Sequence, residues 1–490
     1  MTINTETTTL KPLWDGFEYK EHQVFGVNWM LSRECEGEKV KGGILCDEMG
    51  LGKTIQMIGL MKESHIPFLA TLLVAPLAVL NQWKETAEKA KIRCFFFNTK
   101  IKNWQLKTNP FKSGISIYLI GYEALANNIS FVEQKIFGRL VCDEAHRLGV
   151  PNIKKKIQNL KPIKKLCFKT IQRINAESKW FLTATPVVNS LDDTLSLFAL
   201  MDSKLVEKPF EELMSTYALA RSMEQLRLDM PDGNLPSEPI IQNHRLDFIT
   251  KQEEDFYVKI QTDVERQLRY QDNALVVLRL IMLLRQISIH PQIYIKARQD
   301  KFKGKLTIPS FEHSSTKFEK VKELLKSESH QPHKWIIFCH FHEEMNLFEN
   351  YLKDLDFIRH IEVYSGSQSI DDKTEALDKI RQPFTESSKK QCDVILMQIK
   401  AGGVGINLQE CDRIIFCSPW WTQAAIEQGI GRAVRIGQKN QVVVHNLVLK
   451  QEEDMGVRNI DRWMREKAAK KDGMNELALS YANSNLSLVE

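Results

Sequence analysis

Short apolar runs, each closed by turn residues and followed by a helical stretch, recur along the chain and constrain its fold more than any other feature. In the first half they are "GGILCD", "TLLVAP", "ISIYLIGY", "GRLVCDEA" and "KWFLTATP"; in the second, "KWIIFCHF", "HIEVYSGS", "CDVILMQ", "DRIIFCSP" and "VVVHNLVL". Strands that are apolar throughout are buried on both faces, and strands separated by helices pair in parallel. The pattern runs twice, so the chain reads as α/β with two lobes, each a parallel sheet covered by helices. From about Asp202 to Lys296 strand signals vanish and helical patterns dominate, with a loop cluster at "PDGNLPSEP". The expected division is 1–245 for the first lobe, with a helical insertion at about 202–245. The second lobe is 246–450, with an insertion at about 246–315, and a charged helical tail covers 451–490.

Composition excludes more than it identifies. The net charge of +5 is too small to argue for nucleic acid, although residues 152–169 carry seven lysines and no acid. That cluster either lies along phosphates or is a solvated loop. The nine cysteines form no C-x-x-C pair, which argues against a zinc ribbon, a RING finger or a redox motif; several, such as Cys46, Cys142, Cys339 and Cys417, sit in apolar runs and read as reduced, buried thiols of an intracellular protein. The polar start "MTINTETTTLKPLWDG" lacks the order of a signal peptide, and no apolar run reaches the length of a membrane span.

Residues 42–56, "GGILCDEMGLGKTIQ", join a strand, a glycine turn and a helix start. Unpaired N–H groups and the helix dipole converge there on one anion-sized spot, Lys53 adds a point charge for phosphate, and Thr54 offers a hydroxyl to Mg²⁺. The usual phosphate-loop pattern asks for glycine at 47, where this chain has Asp47. "GRLVCDEAH" ends a second strand in Asp143 and Glu144, suited to hold Mg²⁺ and to orient an attacking water respectively. "LTATP" (182–186) ends a third strand. In the second half "KAGGVGINL" and "EQGIGRAVRIGQ" stand out. Arg432 and Arg435, three apart, would share one face of a helix beside Gln428 and Gln438 and could clamp a transferring phosphoryl group.

In this order the motifs resemble the superfamily-two helicase-like ATPases, and more narrowly the SWI/SNF-related DNA translocases, over about Tyr19 to Val448. The resemblance rests on "YKEHQVFGVNWM", "DEMGLGKTIQ", "VAPLAVLNQW", "GYEAL", "DEAH", "LTATPVVNS", "LLRQISIHP", "IIFCHF", "KAGGVGINL" and "EQGIGRAVRIGQ". It implies two tandem RecA-like lobes, ATP with Mg²⁺, and Asp47 as the family's own spelling of the loop. Further, it implies Gln23 as the adenine reader and Asp47, Glu48, Met49, Gly50, Leu51, Gly52, Lys53 and Thr54 as the phosphate loop. Gly403 and Gly405 are added to the nucleotide site; Glu144, Asp143, Arg432, Arg435 and Gln428 take the catalytic roles, and Thr54 and Asp143 hold the metal. DNA contact is implied at Gln82, Trp83, Gly121, Tyr122, His340, Lys400 and Trp420, with Trp83 and Trp420 equally readable as core.

The function so implied is an ATP-dependent translocase on double-stranded DNA that remodels protein–DNA complexes, nucleosomes among them, or repair and replication intermediates. The place of action would be the nucleus or another site of DNA metabolism, a viral factory if the source is a virus. A strand-separating DEAH-type helicase and an ATP-switched DNA-binding scaffold are the alternatives. Two departures stand out: Ala184 where the family usually has glycine, expected to alter coupling rather than ATP binding, and no paired cysteines for the RING finger of the repair branch.

Overall fold

The computed structural model describes residues 10–483 apart from 36, 65–68, 110–113, 155–165, 230–235, 269, 271–272, 303–307, 386–389, 400–405, 436 and 451–458. The chain divides into two compact units, Met1–Leu235 with Lys471–Glu490, and Pro236–Lys470.

The first unit is built on β1 (Gly42–Leu45), β2 (Thr71–Ala75), β3 (Arg93–Asn98), β4 (Asn103–Leu106), β5 (Ser116–Gly121), β6 (Ile136–Asp143), β7 (Asn175–Leu182) and β8 (Ala218–Leu219). They form one sheet in the order β4-β3-β5-β2-β6-β7-β1-β8. All neighbours are parallel except β3 and β4. The central strands are apolar on both faces, and Ile44, Leu72, Val74, Leu140, Cys142 and Phe181 on β1, β2, β6 and β7 are buried. Because β1, β2, β5, β6 and β7 run the same way, their carboxyl ends open on one edge, where ligands of open parallel sheets bind.

The second unit holds β9 (Ile240–Leu246), β10 (His333–Cys339), β11 (Ile358–Tyr364), β12 (Cys392–Gln398), β13 (Arg413–Phe416) and β14 (Val443–Leu449), in the order β11-β12-β10-β13-β14-β9, all parallel. The helices Lys251–Leu268, Ala274–Ile289 and Pro291–Lys301 follow β9 and pack around Tyr257, Leu280, Leu284 and Ile295.

Ten of these strands are the ten apolar runs. The other four (β3, β4, β8 and β9) have no such signal, and β8 and β9 lie where the sequence reads as helical. β8 is two residues long, and β9 is an edge strand, "IIQNHRL", mostly exposed and therefore free of the apolar pattern that marks buried strands. Its pairing with β14 moves the boundary from 245/246 to 235/236. The tail, read as charged and helical, also contributes buried residues. Within the helix Ile460–Asn483, Ile460 and Met464 join the core of the second unit, where Asp461 is paired with buried Lys317 at 2.6 Å. Ala478 and Ala482 join the core of the first, and Asn475 Oδ1 accepts from the Val187 N–H at 3.2 Å. Of the nine cysteines, seven are buried, Cys167 is half-buried and Cys35 is exposed.

His445 on β14 lies 3.0 Å (Nδ1) from His244 Nε2 on β9; its own buried Nε2 has no hydrogen-bond partner among the described residues and stands 3.9 Å from Glu328 Oε1. Burial, then His244, Arg413 and Lys320, hold its pKa down at about 4. A histidine depressed from 6.5 contributes stability that is complete above 6.5 and is lost as the pH falls towards 4. The second unit is therefore expected to lose roughly 2 to 3 kcal/mol over that window from this residue. His445→Phe should flatten the pH dependence of the urea midpoint there; an unchanged slope would contradict the assignment.

Candidate functional site

At the carboxyl edge of the first sheet, β1 passes through residues 46–52 into the helix Lys53–Glu63. Gly50 and Gly52 take left-handed φ of 93° and 83°, a conformation glycine adopts at no steric cost and which gives the loop its tight turn. At Gly52 any Cβ would also stand 2.6 Å from Gln23 Nε2. Lys53 opens the helix, and its ammonium donates to the carbonyls of Asp47 (2.6 Å) and Glu48 (3.3 Å). Gln23 and His22 lie behind the turn: Gln23 Nε2 is 3.5 Å and His22 Nε2 3.0 Å from the Leu51 carbonyl. Thr54 and Met49 are half-buried and Glu48 is exposed, its carboxylate accepting from the Met223 N–H at 2.6 Å.

Asp47 corrects one expectation. Its side chain is fully buried and turned away from the loop mouth, into a fork with Arg221: Nε to Oδ1 at 2.9 Å, and Nη2 to Oδ2 at 2.5 Å. Gln56 Nε2 donates to Oδ2 at 2.8 Å and accepts from Arg221 Nη2 through Oε1 at 2.8 Å, while Arg221 Nη1 reaches the His22 carbonyl. The aspartate is thus a brace beneath the loop rather than a phosphate ligand. Its φ is not positive, so the backbone there does not require the usual glycine.

Two strands away, β6 ends in Asp143 and Glu144. Glu144 has φ 53° and ψ 47°, left-handed for a non-glycine residue. Such a conformation persists only where its surroundings hold it, and it is common at functional sites. His146 Nδ1 stands between Glu144 Oε2 (3.3 Å) and Thr183 Oγ1 (3.2 Å), which joins the acidic pair to "LTATP" after β7. Ala184 is not in a positive-φ conformation, so alanine fits where the resemblance expects glycine.

Asp143 is pushed up to about 6, by burial first and then by the Glu144 carboxylate; a hydrogen bond from Trp83 and the charge of Lys53 oppose the rise. A crowded carboxylate of this kind gains from a cation, and Asp143 with the Thr54 hydroxyl offers the hard oxygen donors that Mg²⁺ takes. The residues fit the ion.

Of the DNA candidates in this unit, Gln82 is exposed and Gly121 closes β5. Trp83 and Tyr122 are 1% and 2% exposed, so their rings do not face solvent. Both point instead at Asp143: Trp83 Nε1 donates to Oδ2 at 2.8 Å and Tyr122 Oη to the backbone carbonyl at 2.8 Å. A DNA-contact role does not suit either side chain.

In the second unit His340 and Trp420 are brought together, stacked at 4.6 Å and 3°. The sequence reading missed their third partner, Arg285. Buried from "LLRQISIHP", it lies over Trp420 at 5.1 Å and Trp421 at 5.3 Å and donates to His340 Nδ1 at 3.0 Å. Arg432 and Arg435 do not share a helix face: the helix Gln423–Ile430 ends before them, and they lie in the turns that follow. Arg432 is 1% exposed, Arg435 Nε donates to the Gly431 carbonyl at 2.7 Å, and Gln428 is half-buried on the helix. Lys400, Gly403, Gly405 and most of the lysine cluster fall outside the described residues.

A phosphate loop and a carboxylate pair on one edge of a parallel sheet, with a second parallel sheet downstream, define the class of helicase-like phosphate-loop ATPases. The chain belongs to the SNF2-related domain family: residues 22–293 match the SNF2-related domain, and 316–437 match the helicase conserved C-terminal domain. It is 27% identical to the uncharacterized ATP-dependent helicase MG018 of Mycoplasma genitalium, over 88% of this chain and 40% of that protein. It is 25% identical to the ISWI chromatin-remodeling complex ATPase ISW2 of Saccharomyces cerevisiae, over 94% and 41%. A solved structure, the Sulfolobus solfataricus SWI2/SNF2 ATPase core in complex with dsDNA, is 20% identical over 98% of this chain and 99% of that one, at a TM-score of 0.39. The chain spans about a quarter to just under a half of the length of the curated relatives it matches.

Proposed function

We propose that the chain hydrolyses ATP and uses the cycle to move along double-stranded DNA, displacing or remodelling what is bound there. The observation that carries the hydrolysis is the shared edge. Lys53 at a helix start and the Asp143–Glu144 pair occupy one rim of one sheet, close enough for the lysine charge to act on the aspartate. Lys53 and the loop N–H groups bind the phosphates, Gln23 is the candidate for reading adenine, and Glu144 orients the water. Thr54 and Asp143 would hold Mg²⁺, which supplies charge neutralisation on the phosphates. The parts played by Arg432, Arg435 and Gln428 rest on the resemblance alone.

The duplex-DNA reading is supported by the motif order and by the matched relatives, which include a chromatin-remodelling ATPase. On that reading the protein acts in the nucleus or at another site of DNA metabolism. Movement without strand reading implies that affinity comes from backbone phosphates. ATPase stimulation should therefore be independent of DNA sequence and fall steeply with salt, log K dropping by about 0.9 per log unit for each phosphate neutralised. The deciding experiment measures ATP hydrolysis with duplex DNA, single-stranded DNA, RNA and nucleosomes in parallel, together with displacement of a third strand from a triplex. Duplex stimulation with triplex displacement is expected. Unwinding of a blunt duplex without triplex displacement would establish a strand-separating helicase instead, and DNA binding without turnover would establish a scaffold.

A further inference from the structure

We propose that Trp83 is the positioning residue for Asp143, and that stimulation by DNA reaches the acidic pair through it. The second clause rests on the proposed function; the first does not. Trp83 lies in the helix Leu80–Lys89 that follows β2, next to β6 in the sheet. Its indole has one donor and no acceptor, and that donor is spent on Asp143 Oδ2 at 2.8 Å. The other carboxylate oxygen accepts from the Glu144 N–H at 2.9 Å, and the Asp143 carbonyl accepts from Tyr122 Oη at 2.8 Å. Asp143 is therefore pinned at three oxygens. Two of the pins, Trp83 and Tyr122, come from the segments that follow β2 and β5, and each is directly preceded in the chain by another residue read as a DNA contact, Gln82 and Gly121.

Any buried indole needs an acceptor for its N–H; what sets Trp83 apart is that its acceptor is the carboxylate at the end of β6. Gln82, exposed, precedes Trp83 directly, so a load on that turn moves the N–H that fixes the aspartate. A bond to a charged acceptor is stronger than a neutral one and more directional in effect, which suits it to setting a metal ligand's rotamer.

The same unit supplies the control. Trp180 on β7 is equally buried, and its Nε1–H also goes to a carboxylate, Glu34 Oε1 at 2.8 Å, within a network of Arg139 and Ser178 that does not include Asp143. Trp83→Phe and Trp180→Phe thus remove the same group from comparable surroundings. Mn²⁺ affinity in the presence of ATPγS, read by electron paramagnetic resonance of free Mn²⁺, should fall about tenfold for Trp83→Phe and stay at the parent value for Trp180→Phe. The ratio of duplex-stimulated to basal ATPase should fall severalfold for Trp83→Phe alone, with duplex affinity by anisotropy unchanged. Replacing Trp83 by 3-benzothienylalanine, which keeps both rings and loses only the N–H, should reproduce the Trp83→Phe result and settles the matter if the phenylalanine variant does not fold. Parent Mn²⁺ affinity in either Trp83 variant, or an equal loss in Trp180→Phe, overturns the positioning role. If duplex DNA fails to stimulate the parent chain, the proposed function fails while the Mn²⁺ measurement still decides the positioning.

Discussion

Glu144→Gln is expected to bind ATP like the parent and to hydrolyse it about 10² to 10⁴ times more slowly, the range for losing a positioned proton acceptor. The substitution preserves length and shape and removes the charge that His146 faces at 3.3 Å. The strained backbone at 144 should survive, because that conformation is set by the end of β6 rather than by the carboxylate. A single-turnover assay beside a fluorescent-nucleotide titration separates the two quantities. Hydrolysis at the parent rate would show that the acidic pair is not the catalytic one, whereas lost binding together with lost turnover would show that the carboxylate serves to build the site.

Arg221→Ala should destabilise the first unit by roughly 3 to 5 kcal/mol, since it strands a buried carboxylate without its partner. Nucleotide binding should fall with it, because Asp47 would have to move or take up a proton and the loop rests on it. The converse is also expected. Asp47→Gly with Arg221→Met restores the usual loop glycine and removes both charges, and replacing a buried pair whole costs far less than breaking it. Urea midpoints of the two singles and the double check this; additive losses would mean that the pair is not coupled.

The parts of the site that were legible in the sequence are those contained in a few consecutive residues. The loop, Lys53, Thr54 and the Asp143–Glu144 pair follow from strand–turn–helix order, which is local. Asp47 was legible as an oddity but not as a brace, because its partner lies 174 residues on, in "ALARSMEQL", a stretch with no pattern of its own. Only the fold shows why Gly26 sits in a helix: a Cβ there would meet Gln56 Oε1 at 1.9 Å and Arg221 Nη2 at 2.7 Å. Trp83 reads from the sequence as a DNA contact or core and Tyr122 as a DNA contact, and what they do depends on where one N–H and one O–H point, which no spacing encodes. The arginine pair misled for a different reason. The spacing of Arg432 and Arg435 suits a helix across "EQGIGRAVR", yet the helix ends at Ile430, and a Cβ on buried Gly429 would stand 3.0 Å from Phe416 and 3.1 Å from Phe338. The strand pattern marks the apolar central strands and the edge strand β11, and does not mark half-buried β3, the exposed edge strands β4 and β9, or two-residue β8.

That Ala478 and Ala482 belong to the core built by the first 235 residues has a bearing on the order of events at the ribosome. The N-terminal unit lacks part of its own interior until the far end of the chain has been made. Synthesis of residues 236–470 takes roughly 10 to 50 s at about 5 to 20 residues per second. During that interval the apolar surface destined for the last helix is bare, while the second unit emerges with all of its strands in sequence and can close first. The lobe synthesised first is therefore the one that finishes last.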